Sequence, residues 1–302
     1  MELITVILTC YKQGKYIEDA ICSVINQTYN NRELLIWDDS PDNNCRNIIE
    51  KYVKKYPNKI HAWHHNPNKW IVNNMLFLME QRNKKSEYIA FLEWDDCMFP
   101  EYLEKKISVF KKNPDVQLVY NELTTIDSEW NIINEKHLQK YAKSFLKEWK
   151  IGYKKLIGEV VYVSWSTLMI KAKIIEKYWI VPPFSWEKTL ISDMYFFNQI
   201  ANNEHVFWIE DPLVYYRIHG NNTSRNILNS MCFHLDLIKY LDYLNSEWLI
   251  DYNTYTIQWC RWYLVIWILS VKKAFTFGML KIIRVFFEEL YNSISRRIDW
   301  WA

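Results

Sequence analysis

An apolar, strand-forming run, Tyr88-Ile89-Ala90-Phe91-Leu92, ends abruptly in Glu93-Trp94-Asp95-Asp96, three carboxylates set around one tryptophan. Burial of Phe91 and Leu92 draws the run into a core, whereas carboxylates are seldom fully buried unless paired. The cluster therefore belongs at the carboxyl end of a strand, the edge at which open α/β sheets bind ligands. Three acids so close together either hold a cation or bear their own repulsion. A hard divalent ion, Mn2+ or Mg2+, suits the first case, because it takes one or two carboxylates and completes its shell with water and substrate phosphates. Taken alone, such a cluster is more often a solvated acidic turn. Behind a buried strand the expectation is a metal site that carries a nucleotide diphosphate.

Other residues could complete such a site. Asp38-Asp39-Ser40 ends a second apolar run. Either carboxylate can accept hydrogen bonds from a base N–H and ribose hydroxyls, as a carboxylate does in dinucleotide folds. The alternative is a turn that caps the next helix. Thr9 and Tyr11 follow the first run and would line the same pocket. Asp193 comes after a proline-containing loop and opens an apolar helix, which suits an N-cap or a general base within reach of an acceptor hydroxyl. Glu187 is the reserve candidate. Arg217 and His219 alternate with Tyr216 and Ile218, so both can face one cleft at a strand end. There Arg217 could hold a diphosphate, and His219 could bind metal or simply be structural.

The elements that must position these residues follow from periodicity. Residues 3–9 (LITVILT) form a continuous apolar run suited to a strand covered on both faces. Ile17, Ala20, Ile21, Val24 and Ile25 mark an amphipathic helix. A strand over 33–37, a helix through Ile48, Ile49, Tyr52, Val53 and Tyr56, and a strand over 60–64 come next. Ile71, Met75 and Leu78 share a helix face before the acidic strand. A helix through Leu103, Ile107 and Phe110 ends at Asn113-Pro114, and a strand over 116–120 follows. Four βα repeats make a doubly wound unit, whose right-handed crossovers gather the carboxyl strand ends along one edge. Beyond it, 121–158 suggest a hairpin plus a helix over the cleft, 160–170 a strand, 173–179 a short helix, 194–200 a helix, and 206–209 a strand turned at Asp211-Pro212.

Composition narrows the classes. The chain has 302 residues, half of them hydrophobic, enough for a large core. Its net charge of +2 gives no global argument for nucleic acid. With five glycines and neither GxGxxG nor GxxxxGK[ST], the Gly-rich phosphate loops of dehydrogenases and P-loop enzymes are absent. Six cysteines without CxxC spacing read as free thiols. Met1-Glu2-Leu3 runs straight into a strand without a basic and then apolar leader, so the expected location is cytoplasmic.

The order of these motifs resembles the inverting glycosyltransferases of family 2, which have the GT-A fold. Val6-Ile7-Leu8-Thr9-Cys10-Tyr11 is similar to the family's opening strand and turn, and Ser23-Val24-Ile25-Asn26-Gln27-Thr28-Tyr29 to its first-helix signature. Trp37-Asp38-Asp39-Ser40 resembles its nucleoside-binding strand end, Glu93-Trp94-Asp95-Asp96 its metal motif, and Tyr216-Arg217-Ile218-His219 its closing motif. The resemblance covers residues 3–224. It implies a hexosyltransferase-like enzyme that moves a sugar from a nucleotide-diphospho-sugar, a UDP-sugar in the first place, to a glycan or lipid-linked acceptor hydroxyl. Inversion, Mn2+ or Mg2+ dependence and a role in surface polysaccharide or glycoconjugate biosynthesis are implied with it. So are Asp95 as direct metal ligand, Asp96 or Glu93 binding through water or holding the sugar, and Asp193 as the base. The chain departs from the family where Asn66, Asn68, Val72, Asn73 and Asn74 replace an arginine-bearing segment, and where Ser192 stands for an acid before the base.

The expected organisation is an α/β GT-A domain over 1–227, with a doubly wound mixed sheet and a helical C-terminal extension. Residues 1–120 form the nucleotide-binding half and 121–227 the acceptor half. Residues 228–302 are helical, aromatic and basic: Lys273, Lys281, Arg284 and Glu288 share one side of a helix, and Arg296 and Arg297 come just before Trp300-Trp301. That segment is either a packed cap or a peripheral contact at the inner face of the membrane. Two other functions fit less of the pattern: a sugar nucleotidyltransferase, for which Tyr11-Lys12-Gln13-Gly14-Lys15 is a poor loop, and a degenerate nucleotide-binding module.

Overall fold

The computed structural model describes residues 1–12, 14–64, 71–140, 151–159, 163–178, 180, 182–183, 189–220, 222 and 227–277. The chain opens with β1 (Leu3–Cys10), α1 (Gly14–Ile25), β2 (Arg32–Asp38), α2 (Asn44–Lys55), β3 (Ile60–His64), α3 (Ile71–Gln81) and β4 (Ser86–Glu93). β1 pairs in parallel with β2 and β4, and β2 with β3, which gives the order β3-β2-β1-β4. Register brings the strand ends level: Thr9 lies opposite Trp37 and Glu93, and Cys10 opposite Asp38. Successive strands move one way from β1 to β3 and return at β4. Right-handed crossovers therefore put α1 and α2, which pack together, on one face, and α3, which lies on β1 and β2, on the other.

The rest of the sheet is mixed. It comprises β5 (Cys97–Met98), α4 (Tyr102–Lys112), β6 (Val116–Ile126), β7 (Ile132–Asn134), α5 (Tyr153–Glu159), β8 (Leu168–Lys171), α6 (Ser192–Asn203) and β9 (His205–Arg217). β8 is antiparallel to both β4 and β6, between which it lies, β9 is parallel to β6, and β5 antiparallel to β9. The core includes Ile4, Ile7, Leu8, Ile36, Phe91 and Leu92, all fully buried.

Several element bounds differ from the sequence expectation. The strand expected at 116–120 runs on to Ile126, and Glu122 and Thr124 in its extension find partners inside the fold. Fully buried Glu122 accepts the amides of Leu123, Leu138 and Gln139 at 2.8, 2.6 and 2.8 Å. The strand expected at 160–170 is confined to β8 within the described residues. Ser164 instead caps a 3₁₀ turn over Trp165–Thr167, and the Thr167 hydroxyl donates to the Ser164 carbonyl at 2.7 Å. Such local Ser/Thr bonds compete with a strand ladder. The helix expected at 173–179 is a 3₁₀ turn over Ala172–Glu176. Asp211-Pro212 does not end a strand: the register with β6 passes from Asn121↔Ile209 to Glu122↔Pro212, so Glu210 and Asp211 bulge out and β9 continues. A bulge is where a strand tolerates proline. Of the hairpin and helix expected within 121–158, the β6–β7 hairpin and α5 are described, and residues 141–150 are not.

Packing divides the chain into two units, Met1–Val181 with Ser192–His219, and Pro182–Ile191 with Gly220–Ala302. The second contains α7 (Ile227–Ser246) and α8 (Tyr252–Phe277). His234 packs on Trp262 at 5.3 Å, and the Tyr255 hydroxyl donates to Asp242 at 2.7 Å. Trp248, Leu249, Tyr252, Ile257 and Leu264 are exposed there. No described helix is long and apolar enough to cross a membrane. Lys281, Arg284, Arg296, Arg297, Trp300 and Trp301 lie outside the described residues, and all six cysteines are free.

Phe91 joins the strand that carries the acidic cluster to its surroundings. Its ring lies 4.9 Å from Trp165 and 6.4 Å from Phe196 of α6. Phe91→Ala should cost about 3–5 kcal/mol in urea unfolding, the usual range for emptying such a site.

Candidate active site

At the end of β4 the Asp96 amide donates to the Glu93 carbonyl at 3.2 Å, which closes a tight turn, and the chain pairs again at once as β5. Asp96 is buried within it. Its Oδ2 accepts from the Ser166 hydroxyl at 2.6 Å and its Oδ1 from the Arg217 amide at 3.0 Å. Ser166 Oγ also accepts the Glu93 amide at 3.0 Å, and the Ser164 hydroxyl donates to Glu93 Oε2 at 3.2 Å. Asp95 Oδ2 lies 3.0 Å from His219 Nε2. His219 is itself set against the rings of Tyr16 and Trp94, at 5.1 and 5.6 Å.

Carboxylate oxygens of Glu93, Asp95 and Asp96 fall within 4.8 Å of one another. Burial, then the charges of Asp96, Asp95 and Asp193, push the Glu93 carboxyl well above the usual range. Burial and Asp95 also raise Asp96, against the opposing pull of Ser166 and Arg217. A cluster that disfavours its own ionised form is one that a cation would relieve. Its oxygen-rich donors suit Mn2+ or Mg2+, with the His219 imidazole as a further ligand available to Mn2+. Asp193, in the first turn of α6, accepts the Met194 amide at 2.8 Å, and burial raises its carboxyl to about 7.

The ends of β1 and β2 form the other side of the site. Asp38 Oδ1 accepts the Ser40 amide at 2.9 Å, and its Oδ2 is 3.1 Å from His64 Nδ1. Burial works to raise this carboxyl, but His64 and Ser40 hold it below the usual range. Asp39 Oδ2 accepts from the Asn74 amide group at 2.9 Å and Oδ1 from Trp37 Nε1 at 3.4 Å. The Ser40 hydroxyl accepts the Lys12 amide at 2.8 Å, where Lys12 turns the chain at φ 63°. Thr9 is buried, and Tyr11 is exposed.

The Arg217 guanidinium is 1% exposed and enclosed by protein. Nη2 pairs with Asp19 of α1 at 3.1 Å, Nε donates to the Asp95 carbonyl at 3.1 Å, and the Tyr16 and Trp130 rings cover Cζ at 4.6 and 4.4 Å. These contacts tie it to the acidic turn.

Residues 5–179 match the family model described as glycosyl transferase family 2. The chain belongs to this family. It is 25% identical over 274 residues to an uncharacterized glycosyltransferase of Methanocaldococcus jannaschii, covering 85% of this chain and 79% of that one. An uncharacterized glycosyltransferase of Haemophilus influenzae is 23% identical over 229 residues, covering 74% and 67%. Among solved structures, S. aureus TarS 1-349 in complex with UDP-GlcNAc superposes with a TM-score of 0.55 at 15% identity, covering 92% of this chain and 73% of that one. The mannosyltransferase PcManGT from Pyrobaculum calidifontis, in complex with GDP-Man and Mn2+, gives 0.55 at 11% identity, covering 99% and 82%. The fold is GT-A, as the motif order implied.

In this family 2 glycosyltransferase the structure brings together Glu93, Asp95, Asp96 and His219, with Asp193 close enough to influence Glu93. Glu187, Asn66 and Asn68 lie outside the described residues. Sequence reading missed Ser164, Ser166, Tyr16, Asp19, Trp130 and His64. The Ser164-x-Ser166 spacing was the one usable signal; the others reach the site from distant segments. Asn74, noted only as a departure from the family, proves to be a partner of Asp39. Arg217→Gln should lower the stability of ligand-free protein by about 1–3 kcal/mol, the usual loss when the hydrogen bonds of a buried polar group are broken. Urea unfolding without nucleotide decides this, since a residue that only grips ligand would leave that value unchanged.

Proposed function

We propose that this glycosyltransferase moves a sugar from a nucleotide-diphospho-sugar to an acceptor hydroxyl by a metal-dependent single displacement with inversion. The observation that carries the reading is the meeting of the Glu93–Asp95–Asp96–His219 cluster with Asp193, whose carboxyl sits at about 7. Asp95 and His219 are the proposed ligands of Mn2+ or Mg2+, with Asp96 behind them. When bound, the ion supplies charge neutralisation of the leaving diphosphate. Asp38 and Asp39, with Thr9 and Tyr11, hold the nucleoside, and Glu93 orients the sugar.

Asp193 acts on the acceptor. Its carboxylate takes the hydroxyl proton as that oxygen forms its bond to the anomeric carbon. The bond from that carbon to the diphosphate oxygen breaks on the opposite face, and its electron pair leaves with the nucleotide. One base and one displacement give an inverted anomeric centre. A base that titrates near neutral pH balances the ionised fraction against proton affinity. The bound UDP-GlcNAc of the TarS structure and the GDP-Man with Mn2+ of the PcManGT structure support the donor class and the ion. A UDP-sugar is the first donor to test. The exposed Trp248, Leu249 and Tyr252 support a lipid-surface contact for the second unit, which would suit a lipid-linked acceptor.

A panel of UDP- and GDP-sugars incubated with Mn2+ should yield turnover of one donor. Triphosphate exchange in its place would point to a nucleotidyltransferase, and no turnover at all to a binding module. Asp193→Asn should lose roughly 10²–10⁴-fold in transfer rate while it keeps donor affinity; full activity would rule Asp193 out. Because the base must be ionised, kcat/KM of the wild type should climb as pH rises through about 7. His219→Ala should weaken Mn2+ binding in a direct titration.

A further inference from the structure

The amino-terminal edge of the sheet carries a second feature, unused by glycosyl transfer. A groove of about 610 Å³ is lined there by Arg82, Lys84, Lys111, Lys171 and Lys173, with Glu87 the one carboxylate among its lining residues. It lies where β4 begins and β8 ends, since those strands run antiparallel. β4 spans seven residue steps from Ser86 to Glu93, so at about 3.3 Å per step the groove is roughly 23 Å from the acidic cluster. The two sites are separate.

The groove stands over the buried rings of Tyr88 and Phe110, packed 4.8 Å apart, and a low-dielectric floor strengthens the field of charges above it. Lys111 is paired with Glu2 at 3.0 Å. Arg82, Lys84 and Lys171 donate to the carbonyls of Met79, Glu80 and Pro114, which are neutral acceptors and leave the positive charge in place. Burial and the nearby Lys173 both pull the Lys171 ammonium down, as like charges held together do, with Asp115 opposing. Apart from the Lys111–Glu2 pair, four cations thus face Glu87 and, at the margin, Asp115.

We propose that this groove binds a phosphate-bearing ligand, a phosphate mono- or diester, at the sheet edge opposite the catalytic one. A guanidinium flanked by ammonium groups on a concave wall matches phosphate oxygens in charge, the arginine as a delocalised cation and the lysines as point charges. A soluble phosphate and a phospholipid headgroup offer the same chemistry.

The test uses the full chain in EDTA, so that no divalent ion draws phosphate to the acidic cluster. Pyrophosphate binding is measured by calorimetry. Binding to phosphatidylcholine vesicles containing phosphatidylglycerol is measured by co-sedimentation. Wild type should bind at least one probe, and the double variant Lys84→Glu/Lys173→Glu, at two exposed positions, should bind it at least tenfold more weakly. Lys54→Glu/Lys55→Glu on α2 should leave binding unchanged. Pyrophosphate binding would indicate a soluble ligand, and vesicle binding alone a headgroup in a bilayer. Failure to bind either probe would overturn the proposal, as would binding that survives the Lys84/Lys173 reversal. Should that variant unfold below the wild-type temperature, Lys84→Gln/Lys173→Gln serves in its place, with the same loss expected and the same retention fatal.

Discussion

A carboxylate that is almost wholly buried must find donors inside the protein, and the site depends on how Asp96 does so. Its two oxygens take the Ser166 hydroxyl and the Arg217 amide. Those donors come from the turn that precedes β8 and from the last residue of β9, elements far from β4 in the chain. The parallel half of the sheet is thereby tied to the mixed half at one point. Ser166 strengthens the tie by also accepting the Glu93 amide, and Arg217 by returning its side chain to the Asp95 carbonyl. With Asp96 satisfied internally, the Asp95 carboxylate is left turned to His219.

Electrostatics then divides the carboxyl edge into two kinds of acid. Around Asp38, hydrogen bonds to the charged form outweigh burial, and the group stays ionised under ordinary conditions. Around Glu93 and Asp96, burial and mutual repulsion outweigh the hydrogen bonds, and the charged form is disfavoured. A group of the first kind is suited to accept hydrogen bonds from a nucleoside. Groups of the second kind suit a cation, whose charge supplies what the protein around them lacks. The opposite edge carries the reverse sign, so the sheet separates an acidic and a basic pole along the length of β4.

Much of this was legible in the residues. Strands β1 to β4 and their helices announce themselves because buried strands need unbroken apolar runs and half-buried helices need a 3.6-residue period. The later strands hide for the opposite reason. β6 holds Asn121, Glu122, Thr124 and Thr125 in its interior, and Glu122 and Thr124 bond there to the amides of Leu138 and Gln139 and to the Glu135 carbonyl, partners that periodicity cannot see. The Asp211-Pro212 pair looked like a strand end because proline lacks a ladder donor, yet a bulge accommodates it and β9 runs on to Arg217. The motif that holds Arg217 does not show its neighbours Asp19, Tyr16 and Trp130, which are drawn from α1 and the β6–β7 turn.

By itself the sequence determined the parallel half of the fold, the family, and the residue types that gather at the carboxyl edge. Those are local or ordered properties: apolar periodicity, strand-ending acids and the succession of motifs survive in one dimension. Only the tertiary structure decided which acid is buried and bonded, which faces His219, and what Arg217 touches. Hydrogen-bond partnership and desolvation depend on neighbours 70 to 200 residues away in the chain, as Asp96 with Ser166 and Arg217 with Asp19 illustrate. The EWDD turn is written in four consecutive letters, but its division of labour is set by atoms that no spacing along the chain brings near.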